Sequence, residues 1–200
     1  MDENVLVVPT EGLEKYLKSA FDPAAARAVI ALANKSRLFL PRSQVEQDES
    51  YKQIIPYICI RHLDSYVLLQ RTKKQSEARL HNKFSLGIGG HINEQEIAAG
   101  AADLVQAGLL RELREEITLT EGWKLNLLGT IYDPSTPVGR VHFGIVYQLE
   151  AVDRSFTLNE PELMSAFWGS LSEVSGYQDR METWSQILVS EFLEKGRSIS

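Results

Sequence analysis

Between Asp103 and Leu119 the chain reads DLVQAGLLRELREEITL, and no other stretch restricts the fold as much. Leu109, Leu110, Leu113 and Ile117 recur at three- and four-residue steps, which lays them along one side of a helix. Asp103 is a suitable cap for its start, with Gln106 three residues on to complete a capping box. On that helix Glu112, Glu115 and Glu116 stand at i, i+3 and i+4, so three carboxylates share one side within about 5–6 Å. Like charges so placed repel. A helix that keeps them offers them to water, to basic partners, or to a hard cation such as Mg²⁺, which prefers oxygen ligands and retains several waters. Arg111 can reach Glu115 at i+4.

Strands surround this helix in sequence. From Ile54 to Ile60 the apolar residues are continuous, as in a strand covered on both faces, and Tyr66 to Gln70 is its partner across a turn at His62 to Ser65. Phe84 to Ile88 delivers a bend at Gly87, Gly89 and Gly90, where a backbone atom can approach a metal or a phosphate without a side chain in the way. Leu125, Leu127, Gly129 and Ile131 alternate with other residues, and so do Val141, Phe143, Ile145, Tyr147 and Leu149, giving two strands with one apolar face. The loop joining them, Asp133 to Gly139, is rich in turn residues. Phe156 to Leu158 and Met164 to Leu171 read as further strands, with Phe167 and Trp168 in the core. Asp179 and Glu182 form a capping box for a last helix with Met181, Trp184, Leu188 and Phe192 on its apolar side. Strands with one long helix among them and another at the end give an α+β fold, an α/β/α sandwich about a mixed sheet.

Residues 1–50 are expected to form a small α/β extension, with residues 51–200 as the main domain. Val5 to Val8 suits a short strand, Thr10 to Ala20 a short helix, and Asp22-Pro23 opens an alanine-rich helix through Leu32 or Ala33. The polar stretch SQVEQDES, from Ser43 to Ser50, suits a link. This extension packs on the main domain or against a second copy of the chain, so a homodimer is compatible with it. A formal net charge of -6 argues against a general nucleic-acid coat and against an anionic membrane surface. Cys59 is the only cysteine, which excludes a disulfide framework and a thiolate metal cluster and suits a cytoplasmic chain. The acidic MDEN start and the lack of a long apolar run point away from a signal peptide or a membrane span.

The stretch from Gly90 to Leu119 resembles the Nudix box, G-x5-E-x7-R-E-U-x-E-E-x-G-U with U aliphatic, the signature of hydrolases that cut diphosphate bonds in nucleoside diphosphates linked to another group. Gly90 and Glu96 match G-x5-E, and Arg111, Glu112, Leu113, Glu115, Glu116 and Leu119 match R-E-U-x-E-E-x-x-U. Thr118 stands where the family has Gly. Fourteen residues separate Glu96 from Arg111 where the family has seven, a seven-residue insertion. Counting back from Arg111 by the family spacing reaches Asp103, so Glu96 and Asp103 both qualify as the first acid. The cap at Asp103 puts the extra residues, Ile97 to about Ala102, before the helix.

The resemblance implies a Nudix-type sandwich over roughly residues 51–195 and a Mg²⁺-dependent hydrolase, with Mn²⁺ as the alternative ion, acting on a small-molecule diphosphate. It makes Glu112, Glu115, Glu116 and a backbone oxygen of Gly89 or Gly90 the metal ligands and Arg111 the residue that orients the acids. Glu116, Glu160 and Glu162 are the candidates for the base, the last two because the family often takes an acid from a later loop. The basic segment from Arg71 to Lys83 is either a solvated loop or a holder of substrate phosphates, through Arg71 first and then Lys73 and Lys83. His81 and His91 lack a second histidine or cysteine at ligand spacing and are expected to be structural, and His142, on the less apolar face of its strand, is expected to be a satisfied sheet histidine rather than a catalytic one. The competing readings are a Nudix-like domain that senses a ligand without cutting it and a protein-interaction module using residues 1–50. The isopentenyl diphosphate isomerases of the same fold rely on a cysteine near the glycine turn, where this chain has none.

Overall fold

A computed structural model of the chain describes residues 2–71 and 83–195. In chain order the elements begin with β1 (Asn4–Pro9), α1 (Thr10–Leu13), β2 (Phe21–Asp22), α2 (Ala26–Ser36), β3 (Leu38–Pro41) and α3 (Arg42–Val45). Next are β4 (Tyr51–His62), β5 (Ser65–Arg71), β6 (Phe84–Ser85), β7 (Gly87–Gly89), α4 (Gln95–Ala98) and α5 (Leu104–Glu116). The rest comprises β8 (Ile117–Leu119), β9 (Lys124–Ile131), α6 (Pro137–Val141), β10 (His142–Glu150), β11 (Phe156–Leu158), β12 (Met164–Ser170), α7 (Leu171–Gly176) and α8 (Thr183–Leu188). This is the expected α+β fold with a mixed sheet. Two compact units divide the chain, and β4, β9, β10 and α5 each have residues in both.

The first unit takes the residues up to Tyr57, Gly89–Glu112 and Leu127–Val146. Within it β1 pairs antiparallel with β3, Val5 opposite Leu40, and with β4, Val7 opposite Gln53. A strand with a neighbour on each edge is shielded along its length, and Val5, Leu6, Val7 and Val8 are buried accordingly. Val5 and Val7 pack on Val45, with Leu38, Leu40 and Tyr51 around them. The first fifty residues therefore contribute three strands to this unit, β2 pairing with β9 through Phe21 opposite Ile131. Asp22 Oδ1 accepts from Ala24 N at 2.8 Å. The alanine-rich helix α2 runs past Ala33 to Ser36 and stops where Arg37 turns to a left-handed φ of 44°.

The second unit takes Ile58–Ile88, Leu113–Asn126 and the chain from Tyr147 onward. The β4–β5 hairpin closes with His62 opposite Ser65, and β12 lies antiparallel along β5 from Met164 opposite Arg71 to Ser170 opposite Ser65. Three expectations change here. Ile117 is the first residue of β8 rather than the last apolar residue of the helix, because it pairs with Leu158 of β11. Phe167 is 36% exposed rather than core, set edge-on to Phe84 and beside Tyr177. The last helix is capped by Glu182, whose carboxylate accepts from the Trp184 and Ser185 amides, whereas Asp179 lies in a separate short turn. A capping box does form, between Ser170 and Glu173 at the start of α7.

Candidate active site

β7 brings the chain to Gly89 and Gly90, and both glycines stand close to a neighbour. A Cβ on Gly89 would lie 3.0 Å from the Pro56 carbonyl oxygen. A Cβ on Gly90 would lie 2.1–2.2 Å from the carboxylate of Glu112, so that carboxylate rests directly against the backbone of the turn. No side chain but hydrogen leaves room for it there.

Arg111, on α5, ties the neighbouring parts together. Its Nε donates to Glu96 Oε1 at 2.7 Å, its Nη1 to Glu112 Oε1 at 2.8 Å, and its Nη2 to the carbonyl oxygen of His91 at 2.6 Å. Burial acts against the guanidinium charge, but the hydrogen bond to Glu96 and the charge of Glu112 outweigh it and raise the Arg111 pKa. Glu96 is 4% exposed, and its second oxygen accepts from Asn93 N at 3.1 Å. Glu96 and Glu112 are thus two acids held by one cation, an arrangement that fixes both carboxylates in orientation.

Glu96 and Asp103 have separate tasks. Asp103 Oδ1 accepts from the Val105 and Gln106 amides and from Asn34 Nδ2, capping α5 as its sequence position suggests. Asn34 Oδ1 accepts in turn from Leu104 N at 2.8 Å. The residues between the two acids form the end of α4 and a loop that turns at Gly100, with φ of 75°, all of it before α5 begins.

On α5, Leu104, Val105, Leu109 and Leu113 are buried while Leu110 is only partly so. Glu115 is exposed, and Glu112 and Glu116 are half-buried on the same stretch of helix. Among the described residues, no three His, Cys, Asp or Glu side chains already converge on one point. At the C-terminal end of the helix, Asn159 N donates to the Glu116 carbonyl at 3.0 Å, Asn159 Nδ2 to the Arg114 carbonyl at 2.7 Å, and Thr118 Oγ1 to Asn159 Oδ1 at 3.0 Å. Asn159 so fastens the loop that carries Glu160 and Glu162, both exposed, to the helix that carries the acids. Nothing in the sequence marked Asn159 for this.

Of the basic candidates, Lys83 is exposed just before β6, Arg71 ends β5, and the side chain of Arg71 and the whole of Lys73 lie outside the described residues. So does His81. His91 meets partners that its sequence spacing did not suggest: its Nε2 lies 2.8 Å from Gln53 Oε1 and 3.3 Å from Nε2 of His142, a residue 51 positions away.

No protein-family model matches the chain. Protein YmaB of Bacillus subtilis (strain 168) is 34% identical over 199 residues, covering 94% of this chain and 97% of that protein. The crystal structure of Tm1382, assigned to the Nudix hydrolases, superposes with a TM-score of 0.80 at 30% identity, over 96% of this chain and 99% of the other. The chain belongs to the Nudix hydrolase family. Nudix hydrolases cut a pyrophosphate bond and generally use a divalent metal ion. The match to Tm1382 takes in most of the first fifty residues as well, since only 4% of the chain falls outside it. The Nudix domain of Shewanella oneidensis NrtR, complexed with ADP ribose, shares the fold at 14% identity and a TM-score of 0.55, over 72% of this chain and 88% of that one. Among the described residues no helix is long and apolar enough to cross a membrane.

Proposed function

We propose that this Nudix hydrolase is a Mg²⁺-dependent enzyme, with Mn²⁺ as a substitute, that cleaves the diphosphate of a nucleoside diphosphate derivative or a similar small molecule in the cytoplasm. The observation that carries the reading is the R-E-L-R-E-E turn of α5 with Arg111 bonded to Glu96, Glu112 and the His91 carbonyl. The donor set fits a hard cation. Glu112, Glu115 and Glu116 supply ionised oxygens, and the backbone at Gly90 lies against the Glu112 carboxylate, where its carbonyl is the natural further ligand. When bound, Mg²⁺ neutralises charge that develops on the bridging oxygen and polarises the attacking water.

The protein's own residues divide the remaining work. Arg111 is a positioning residue: it holds the Glu112 carboxylate by Nη1 and so fixes its orientation. Glu116 and Glu160 are the groups proposed to take the proton of the attacking water, and Asn159 keeps the Glu160 loop at the end of the helix. Arg71, Lys73 and Lys83 are proposed to face the substrate phosphates. ADP ribose on the NrtR domain supports a nucleotide derivative as the substrate class.

The test is release of phosphate or nucleoside monophosphate from a panel of nucleoside diphosphate derivatives, with Mg²⁺ and with chelator. Turnover should need the metal, and Glu116→Gln should melt like the wild type while losing at least about a hundredfold in rate. Turnover unaffected by both chelator and Glu116→Gln would overturn the assignment, and metal-dependent binding with no release from any compound would make the protein a sensor.

A further inference from the structure

We propose that His91, His142 and Gln53 form a second cation site, which takes a zinc-like transition-metal ion and is chemically separate from the carboxylates of α5. The three residues come from the turn after β7, the start of β10 and the start of β4, all in the first unit. The two Nε2 atoms stand 3.3 Å apart, with the rings edge-on at 60° and their centroids 5.4 Å apart. That separation is long for an N–H hydrogen bond, whose usual distance is about 2.9–3.0 Å. It equals the spacing of about 3.3 Å between two nitrogens that each sit about 2.0–2.1 Å from one tetrahedral zinc.

The tautomer of His142 fits as well. Its Nδ1 lies 2.8 Å from the carbonyl oxygen of Val138. A carbonyl only accepts, so Nδ1 carries the hydrogen and Nε2 presents its lone pair toward His91. A backbone carbonyl on the far ring nitrogen is the usual outer partner of a metal-bound histidine. His91 can match it by carrying its hydrogen on Nδ1, with no net change in charge. Gln53 is fully buried, and its Nε2 is 3.5 Å from the Val45 carbonyl, which turns Oε1 toward His91 Nε2 at 2.8 Å. At 2.8 Å that oxygen is the hydrogen-bond acceptor of His91 in one tautomer, and in the other it serves as a third donor to an ion once the amide draws back by about 0.5 Å.

Ligand chemistry separates the two sites. Imidazole nitrogens favour zinc and its neighbours, whereas a set of carboxylates favours Mg²⁺. The carbonyl of His91 accepts from Arg111 Nη2, so an ion on the imidazole would hold in place the same residue that orients Arg111.

The experiment titrates untagged, chelator-stripped protein in excess Mg²⁺ with Co²⁺, read by the visible absorption of four-coordinate Co²⁺, and then displaces it with Zn²⁺. One Co²⁺ should bind per chain. His142→Gln should weaken it roughly tenfold or more, and Glu112→Gln should leave it unchanged. On wild-type protein, ring ¹⁵N resonances of two histidines should shift together when Zn²⁺ is added, a readout that needs no variant to fold. No four-coordinate Co²⁺ spectrum, equal binding by folded His142→Gln, loss of binding in Glu112→Gln, or unmoved histidine resonances would each overturn the proposal.

Discussion

Arg111 does what a lysine at the same position could not. Its three nitrogens reach Glu96, Glu112 and the His91 carbonyl at once, whereas the three donors of an ammonium all radiate from one atom. Arg111→Lys should therefore leave buried Glu96 poorly paired and lower stability by about 1–3 kcal/mol in urea unfolding, and turnover should fall with it as Glu112 loses its orientation. Cys59 is the contrasting residue, fully buried in β4 with no charge to satisfy. Burial pushes its thiol up from 9.0 to about 12. The folded chain should then resist thiol reagents near neutral pH and react only on unfolding, as a thiol titration with and without denaturant will show. The same shift sets a sign for stability: above pH 9 the unfolded thiol releases its proton and the folded one does not, so stability falls as pH rises from 9 toward 12. Cys59→Ala should lack that component.

At the scale of elements, α5 is fixed at both ends by residues outside the helix, among them Asn34 and Asn159 from distant segments. Asp103 and Asn34 satisfy the amides of Leu104, Val105 and Gln106, and Asn159 takes up the carbonyls of Arg114 and Glu116. The acids stand in the last two turns, so their placement depends on how the helix is held. Asp103→Ala should cost about 1 kcal/mol by denaturant unfolding and change turnover little, because the bonds of Arg111 lie two turns further on. A loss of activity as large as that of Glu116→Gln would instead make Asp103 part of the chemistry and displace Glu96 from that place.

For the whole molecule, the question is whether residues 1–50 can be removed. β1 pairs with β4 and shields the Val45 cluster within the first unit, and 96% of the chain matches Tm1382. Removing the segment would take most of that cluster away, leave Tyr51 uncovered and bare the β4 edge from Tyr51 to Gln53, a template for association. A chain of residues 51–200 should therefore elute as aggregate in size exclusion and lack a cooperative melt. A monomeric, cooperatively melting fragment would show that the segment is a separable extension.

The sequence by itself determined what depends on near neighbours. The apolar step of α5, its cap at Asp103, the strands β4, β9 and β10 and the glycine turn all follow from periodicity and local backbone chemistry, and the acids of α5 carried the family resemblance with them. Tertiary structure alone decided what depends on which distant residues meet. Counting residues left Glu96 and Asp103 equal, and only the path of the chain between them brings Glu96 to Arg111 and leaves Asp103 on the helix amides. Ile117 has the right step for a helix, yet strand pairing with Leu158 takes it, because a hydrogen-bond ladder to another segment outweighs a weak local preference. His91 and His142 are far apart in the chain and carry no spacing to link them; their meeting is fixed by the turn after β7 and the start of β10, packed where no local pattern records it.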